Sequence, residues 1–370
     1  MDSRRASRRR RSLIHTSMRP VSFVGTVVAV VVAAALSAAV SHADPLQRPA
    51  RTSALAPQRL VTSVTAIGPQ RLIAVGQRGH LLLSDDSGAS WRQGALPLSS
   101  DLSAVQFVDT QHGYAVGHDG VVLGSSDGGT QWTKLLDGKA ANALVLEQLR
   151  QSPPGPEQER LLSEAQRNVD SGPDKPLLDV YFSSPQEGFV VGAYNLIFQT
   201  RDGGKSWQSW YDRSDNSDKL FNLYGIRAHK GQLFVAGEAG LLMRLDTERQ
   251  RFVRLDTGYK GSFFGLLDAG DALIAYGMRG NAVISRDGGK QWSPLQSGLQ
   301  ASITASAKGA DGSLWLADQM GHVSVSRDGG QRFAEVKLPF NMPLAAIYVT
   351  PTTLVLAGVR GVRSVPLPKE

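Results

Sequence analysis

Five aspartates in this chain stand in one recurring octet. They are Asp86 in SDDSGASW (residues 84–91), Asp127 in SSDGGTQW (125–132), Asp202 in TRDGGKSW (200–207), Asp287 in SRDGGKQW (285–292) and Asp328 in SRDGGQRF (326–333). Carboxylates invite a hydrolytic reading, since cleavage of a glycosidic bond uses two of them on either side of the scissile bond. The repetition argues against it. An Asp at this place can accept backbone N–H bonds across a turn, and the Gly takes the left-handed conformation. The aromatic (Trp91, Trp132, Trp207, Trp292) packs back on its sheet. A residue met five times in one setting belongs to the fold. Asp109, Asp179 and Asp268, outside the octets, fall where strand ends need turn residues.

Other chemistries are no better served. The sequence has no cysteine, which removes thiol nucleophiles, thiolate metal sites and disulfides together. His80, His112, His118, His229 and His322 lack the spacing of a ligand set, and His80 and His322 occupy the same place in two repeats. Gly204-Lys205-Ser206 imitates the end of a phosphate-binding loop, but Gln199 stands where that loop needs its first glycine. No enzyme, metal or cofactor is expected.

The elements that carry the octets come next. Before each lies an apolar pair ending in a G-x-x-G turn, at Gly76/Gly79, Gly117/Gly120, Gly237/Gly240, Gly277/Gly280 and Gly358/Gly361. Gly192 with Asn195 and Asp318 with Gly321 are variants, and a decayed octet lies at residues 244–252. The seven copies are separated by 41, 75, 45, 40, 41 and 40 residues. A period of about 40–45 residues with four short strands per unit predicts an all-β, seven-bladed β-propeller. In the second blade the strands fall at 102–109, 113–117, 121–125 and 131–135, the G-x-x-G glycines supplying the positive φ of a tight hairpin. The seventh copy ends before a fourth strand. Residues 51–56, within an N-terminal segment 44–58, are the expected supplier, because an open ring would leave bare sheet edges.

The octet resembles the Asp box of the sialidase-type (BNR) repeats. The fuller pattern of residues 103–132, repeated at 180–207, resembles the photosystem II stability/assembly factor family of seven-bladed propellers over roughly residues 58–370. The resemblance implies a non-enzymatic protein that binds a membrane-protein precursor and assists its assembly. The partner is then a membrane or envelope protein, an exporter or a photosystem-like complex. The sialidase resemblance would require an arginine cluster, a Tyr/Glu pair and an F-R-I-P-like segment, and no such segment exists here. The alternative is a secreted Asp-box glycoside hydrolase or glycan-binding propeller, which a cleft lined by exposed Trp would favour.

The long 75-residue step holds an insertion at 137–175. Residues 140–151 and 157–169 read as two helices broken by Pro153-Pro154-Gly155-Pro156, a helical hairpin projecting between blades two and three. Strand alternation puts the insertion on the same face as the G-x-x-G turns, opposite the Asp boxes. On that face Arg78, Arg279 and Arg360 hold the third position of three turns, with Tyr194 and Asp119 in equivalent slots. Such arginines could grip a carboxylate or an acidic segment of a partner. Arg201, Arg286 and Arg327 lie in Asp boxes on the other face.

The N-terminus reads as an export signal at residues 1–43. Arginines precede an apolar run at 21–40, and Ser41 and Ala43 fit cleavage before Asp44. An uncleaved anchor is the alternative, and Met18 is a second candidate start. A periplasmic or thylakoid-lumen-like monomer is expected. The formal charge of +7 owes most to the seven arginines of that leader. Residues from 44 onward hold 33 basic against 32 acidic side chains, which gives no support to nucleic-acid binding.

Overall fold

Strands short enough to be ended by Gly, Asp and Ser fold back on themselves as meanders, and the computed structural model, which describes residues 44–368, contains seven of them. Six are four-stranded antiparallel sheets in sequential order, at 61–93, 102–136, 177–209, 223–254, 263–295 and 303–336. The seventh, at 344–366, has three strands. The leader lies outside the described residues. Among the described residues no helix is long and apolar enough to cross a membrane.

The second strand of each blade carries the core. Leu72–Gly76, Gly113–Gly117, Gly188–Gly192 and Leu273–Gly277 are buried at every position, since each sheet is covered on both faces by its neighbours. Apolar clusters accordingly span blade boundaries. Ile73, Val75 and Leu83 of blade one pack with Val105, Ala115 and Leu123 of blade two.

The expected fourth strand of blade seven is not formed. Residues 51–55 have no regular structure, and Ala56–Gln58 make one 3-10 turn. The physical reason is Gln93, in the outer strand of blade one. Its side-chain amide accepts from the Ser53 N–H (2.8 Å) and donates to the Arg51 carbonyl (3.0 Å), using backbone groups that a ladder would need. Ala50 N–H donates to the Leu96 carbonyl as well, so residues 50–53 are held to blade one. Its 3-10 turn still touches the seventh blade. Ala56 is fully buried in a cluster with Ala74, Leu82 and Ala357, and a Cβ at Gly361 would collide with the Pro57 carbonyl. The ring closes through side chains: Ser364 Oγ donates to the Gly88 carbonyl (2.7 Å) and Thr353 Oγ1 to that of Ser87 (3.4 Å). The unpaired edge at Gly361–Pro366 is guarded by Arg363, stacked on Phe340 at 4.9 Å, and by Pro366.

The two glycines of the G-x-x-G turn serve different ends, which corrects the expectation that both supply positive φ. The third and fourth residues are left-handed, as in Arg78 (φ 54°) and Gly79 (φ 67°), with His80 N–H donating to the Gln77 carbonyl. This is the type I′ hairpin, whose twist matches the flanking strands. Gly76, by contrast, is extended (φ −170°). It is required because a bulge in the first strand drives the Leu60 carbonyl against the place a Cβ would take. The same collision recurs at Gly117 with Asp101 and at Gly277 with Ser262.

The insertion forms helices α1 (Gly138–Gln151) and α2 (Pro156–Ser171). Asp137 caps α1 by accepting from the N–H groups of Lys139 and Ala140. The hairpin does not project. Ala141, Val145, Leu149, Leu161 and Ala165 are buried with Leu177, Leu196 and Tyr211 of blade three and its exit loop. Gln148 Nε2 donates to Asp212 at 2.6 Å, and Arg160 to the Ser217 carbonyl.

Candidate functional site

The Asp boxes are turn braces. In the first, Ser84 Oγ donates to Asp86 (2.7 Å) and accepts from the Gly88 N–H (2.8 Å). Asp86 accepts from the Ser90 N–H (2.9 Å), and Trp91 Nε1 donates to the Gly88 carbonyl (3.1 Å). The pattern recurs around Asp127, Asp202, Asp287 and Asp328. Trp207 departs from it, its Nε1 finding no partner. Hydrogen bonds from Ser90 hold Asp86 down at a pKa of about 2, and those from Ser206 do the same for Asp202, also about 2. Asp127, Asp287 and Asp328 are lowered chiefly by backbone N–H groups. A glycosidase acid needs its pKa raised, and these carboxylates go the other way.

The carboxylates outside the boxes are also engaged. Asp109 accepts from the N–H groups of Gln111 and His112. Asp268 meets buried His229 Nδ1 at 2.8 Å. Asp179 is not a turn residue: it lies inside a first strand (Leu177–Phe182) and accepts from the Ile226 N–H of blade four (2.9 Å). Burial raises its pKa, opposed by Arg227 at 3.9 Å. No group of three or more ligating side chains suited to a metal exists among the described residues.

On the opposite face four of the turns are pinned to the start of the next blade, Ala239 N–H donating to Ser262 in one of them. The third-position N–H of Arg78 donates to Asp101, of Tyr194 to Asn222 and of Arg279 to Ser302. Asn195, the non-glycine fourth residue, is tolerated because its buried amide donates to the Tyr211 carbonyl and accepts from Ser214 and Asn216. Tyr194 is half exposed, with Lys175 of the insertion 5.3 Å from its ring. Arg360 sits in a tighter turn in which Gly358 pairs with Gly361.

Of the expected arginines, Arg78 alone lines a cavity of about 840 Å³. Arg48, Arg51, Arg59 and His80 line it too, and Arg279, Arg360 and Tyr194 do not. Sequence reasoning misses Arg48, Arg51 and Arg59 because it takes residues 51–56 as a strand closing blade seven and gives their surroundings no binding role. The signal was present: from Pro45 to Leu60 three arginines occur with no acid. His80 and His322 part company here. His322 Nδ1 is bonded to Asp318 at 2.9 Å, whereas His80 is buried with Nδ1 unpartnered. Trp91, half-buried, lines a pocket of about 350 Å³ beside the first Asp box, whereas Trp210 and Trp315 are fully buried.

Fold and repeat together define a seven-bladed Asp-box propeller with a basic cavity on its G-x-x-G face. Over residues 83–148 and 159–262 the chain is similar to the family described as photosynthesis system II assembly factor YCF48, whose profile matches there. It is 33% identical over 154 residues to the photosystem II assembly lipoprotein Ycf48 of Synechococcus sp. (strain CC9902), a match spanning 40% of this chain and 43% of that one. Among solved structures it resembles YCF48 bound to D1 peptide, with a TM-score of 0.61 at 17% identity over 85% of this chain and 95% of that one. It also resembles the WD40 propeller domain of Doa1, with a TM-score of 0.59 at 11% identity over 88% and 97%. At such identities the structural likeness speaks for the fold alone.

Proposed function

We propose that this protein is an exported, non-enzymatic scaffold that holds a segment of a membrane or envelope protein on its G-x-x-G face and assists that partner's assembly. The observation that carries the reading is similarity to YCF48 across the repeat, together with a like propeller solved with a D1 peptide bound. The braced Asp boxes, with their lowered pKa values, support the absence of catalysis. A rigid ring presents loops of distant blades to one ligand at little conformational cost. The relative is named a lipoprotein, but this sequence has no cysteine to carry a thiol-linked lipid, so retention at a membrane rests on the apolar run at 21–40 or on the partner.

The test is capture from detergent-solubilised envelopes with tagged protein. Changing Arg78, Arg279 and Arg360 together to Ala weakens capture, while Arg201, Arg286 and Arg327 to Ala on the other face does not. The reverse result would invert the functional face, and equal, salt-sensitive losses would mean diffuse attraction with no site.

A further inference from the structure

The geometry points to the cavity between the N-terminal segment and blade one as a binding site for a multiply charged phosphate-type oxyanion, gripped by Arg48, Arg51, Arg59 and Arg78. This shares Arg78 with the partner reading above and otherwise rests on residues that reading does not use. Three of the four guanidinium groups come from the N-terminal segment ahead of the repeat, and Arg78 comes from the first G-x-x-G turn. None of the four makes an ion pair or side-chain hydrogen bond among the described residues, although the same protein pairs Arg71, Arg92, Arg251 and Arg327 with aspartates. The cavity lining contains no carboxylate. The nearest acid, Asp101, is occupied in accepting the backbone N–H of Arg78 at 2.6 Å.

Holding four like charges around one space costs Coulomb energy in the empty protein, and an anion recovers it. A single planar carboxylate is satisfied by one or two bidentate forks and would leave the others unpaired. A tetrahedral phosphate, and better a diphosphate, offers enough oxygens and charge for all four. The volume, about 840 Å³, is that of a small-ligand site, and the four arginines line it from its solvent-exposed side.

His80 supplies the second observation. It lines the same cavity, is 7% exposed, and its Nδ1 has no partner. Burial, then Arg78 and Arg59, lower its pKa, with Asp101 opposing, so it is neutral in the empty site. Arg48 and Arg51, on the N-terminal segment, add positive charge from the other wall. An anion reverses that balance, raises the imidazole pKa and draws a proton on binding. Affinity therefore rises as pH falls toward 6.

Two sources share this chemistry, a soluble phosphorylated molecule and an anionic lipid headgroup. The experiment is calorimetric titration of the purified protein with inorganic pyrophosphate at low salt, in two buffers of different ionisation enthalpy. Saturable binding with proton uptake is expected. Arg51→Gln with Arg59→Gln weakens it about tenfold or more, and Arg201→Gln with Arg286→Gln leaves it unchanged. His80→Gln removes the excess proton uptake; should that variant fail to fold, the exposed arginine pair still decides. Sedimentation with phosphatidylglycerol vesicles, lost in the same double variant, assigns the headgroup. Pyrophosphate binding without vesicle binding assigns the soluble anion. The proposal is overturned if folded protein shows no saturable binding, if citrate or an acidic peptide binds as tightly as pyrophosphate, or if the control pair loses as much.

Discussion

An Asp-box carboxylate and a G-x-x-G glycine are both fold residues, yet they act through different terms, and substitutions separate them. Asp202→Ala and Asp287→Ala remove braces from exposed turns, so melting temperature falls while capture of a partner is unchanged. A hydrolase activity lost in either variant at unchanged melting would overturn the structural role. The same braces set an acid limit. Asp86 and Asp202 have folded pKa values of about 2 against an unfolded value of 3.8, so the folded state binds fewer protons there. Their stabilisation is fully present above pH 4 and is lost as pH falls toward 2, which acid titration of the melting temperature measures. His80 acts earlier. Its lowered folded value makes the unfolded chain the better proton acceptor, so its contribution declines as pH drops below 6.5. At Gly277 the term is steric. Its φ of −176° suits any residue, but a Cβ would strike the Ser262 carbonyl. Gly277→Ala should cost more than about 2 kcal/mol by chemical denaturation. Gly231→Ala, left-handed but with open space around it, should cost about 1–2 kcal/mol.

At the scale of elements, what the sequence made legible was what repeats. Strands expected at 113–117 and 344–349 fall at Gly113–Gly117 and Leu344–Val349, because period and turn residues mark them jointly. The two helices were legible from their formers and the Pro break, but their attachment was not. Apolar positions in α1 state that a face is buried, not against what. The face meets Leu177, Leu196 and Tyr211, so excising residues 138–172 strips apolar cover from blade three. That deletion should cost on the order of 3 kcal/mol or more, with increased binding of an apolar dye, and loss of capture in it would not by itself assign the partner to the hairpin. Substituting Glu159 and Gln166, on the outer side of α2, tests a contact role without that cost. The cavity was only half legible for a related reason: the acid-free run of Arg48, Arg51 and Arg59 shows in the sequence, but non-repetitive hydrogen bonds to Gln93, Leu96 and Ser99 decide where that segment runs.

For the whole molecule the question is how a ring with a three-stranded seventh blade stays shut. A fourth strand donated by the N-terminus would make closure a backbone ladder, and removing that strand would open the ring. The closure here instead uses Ser364 and Thr353 against the first Asp-box turn, with Ala56 plugging the seam beside Ala74, Leu82 and Ala357. Neither contact depends on pairing along Gly361–Pro366. Removing residues 44–58 should therefore leave a folded propeller with far-ultraviolet circular dichroism retained and melting lowered, because an apolar plug is lost but no ladder is. The same deletion should abolish pyrophosphate binding by taking Arg48 and Arg51 away. Ser364→Ala and Thr353→Ala should be tolerated in the full chain. In the deleted chain the plug no longer shares the seam, so the double change should cost more than the separate effects added together, a coupling that a double-mutant cycle reads directly. Strict additivity, or a deletion that unfolds the chain outright, would mean that the N-terminal segment is itself the closure.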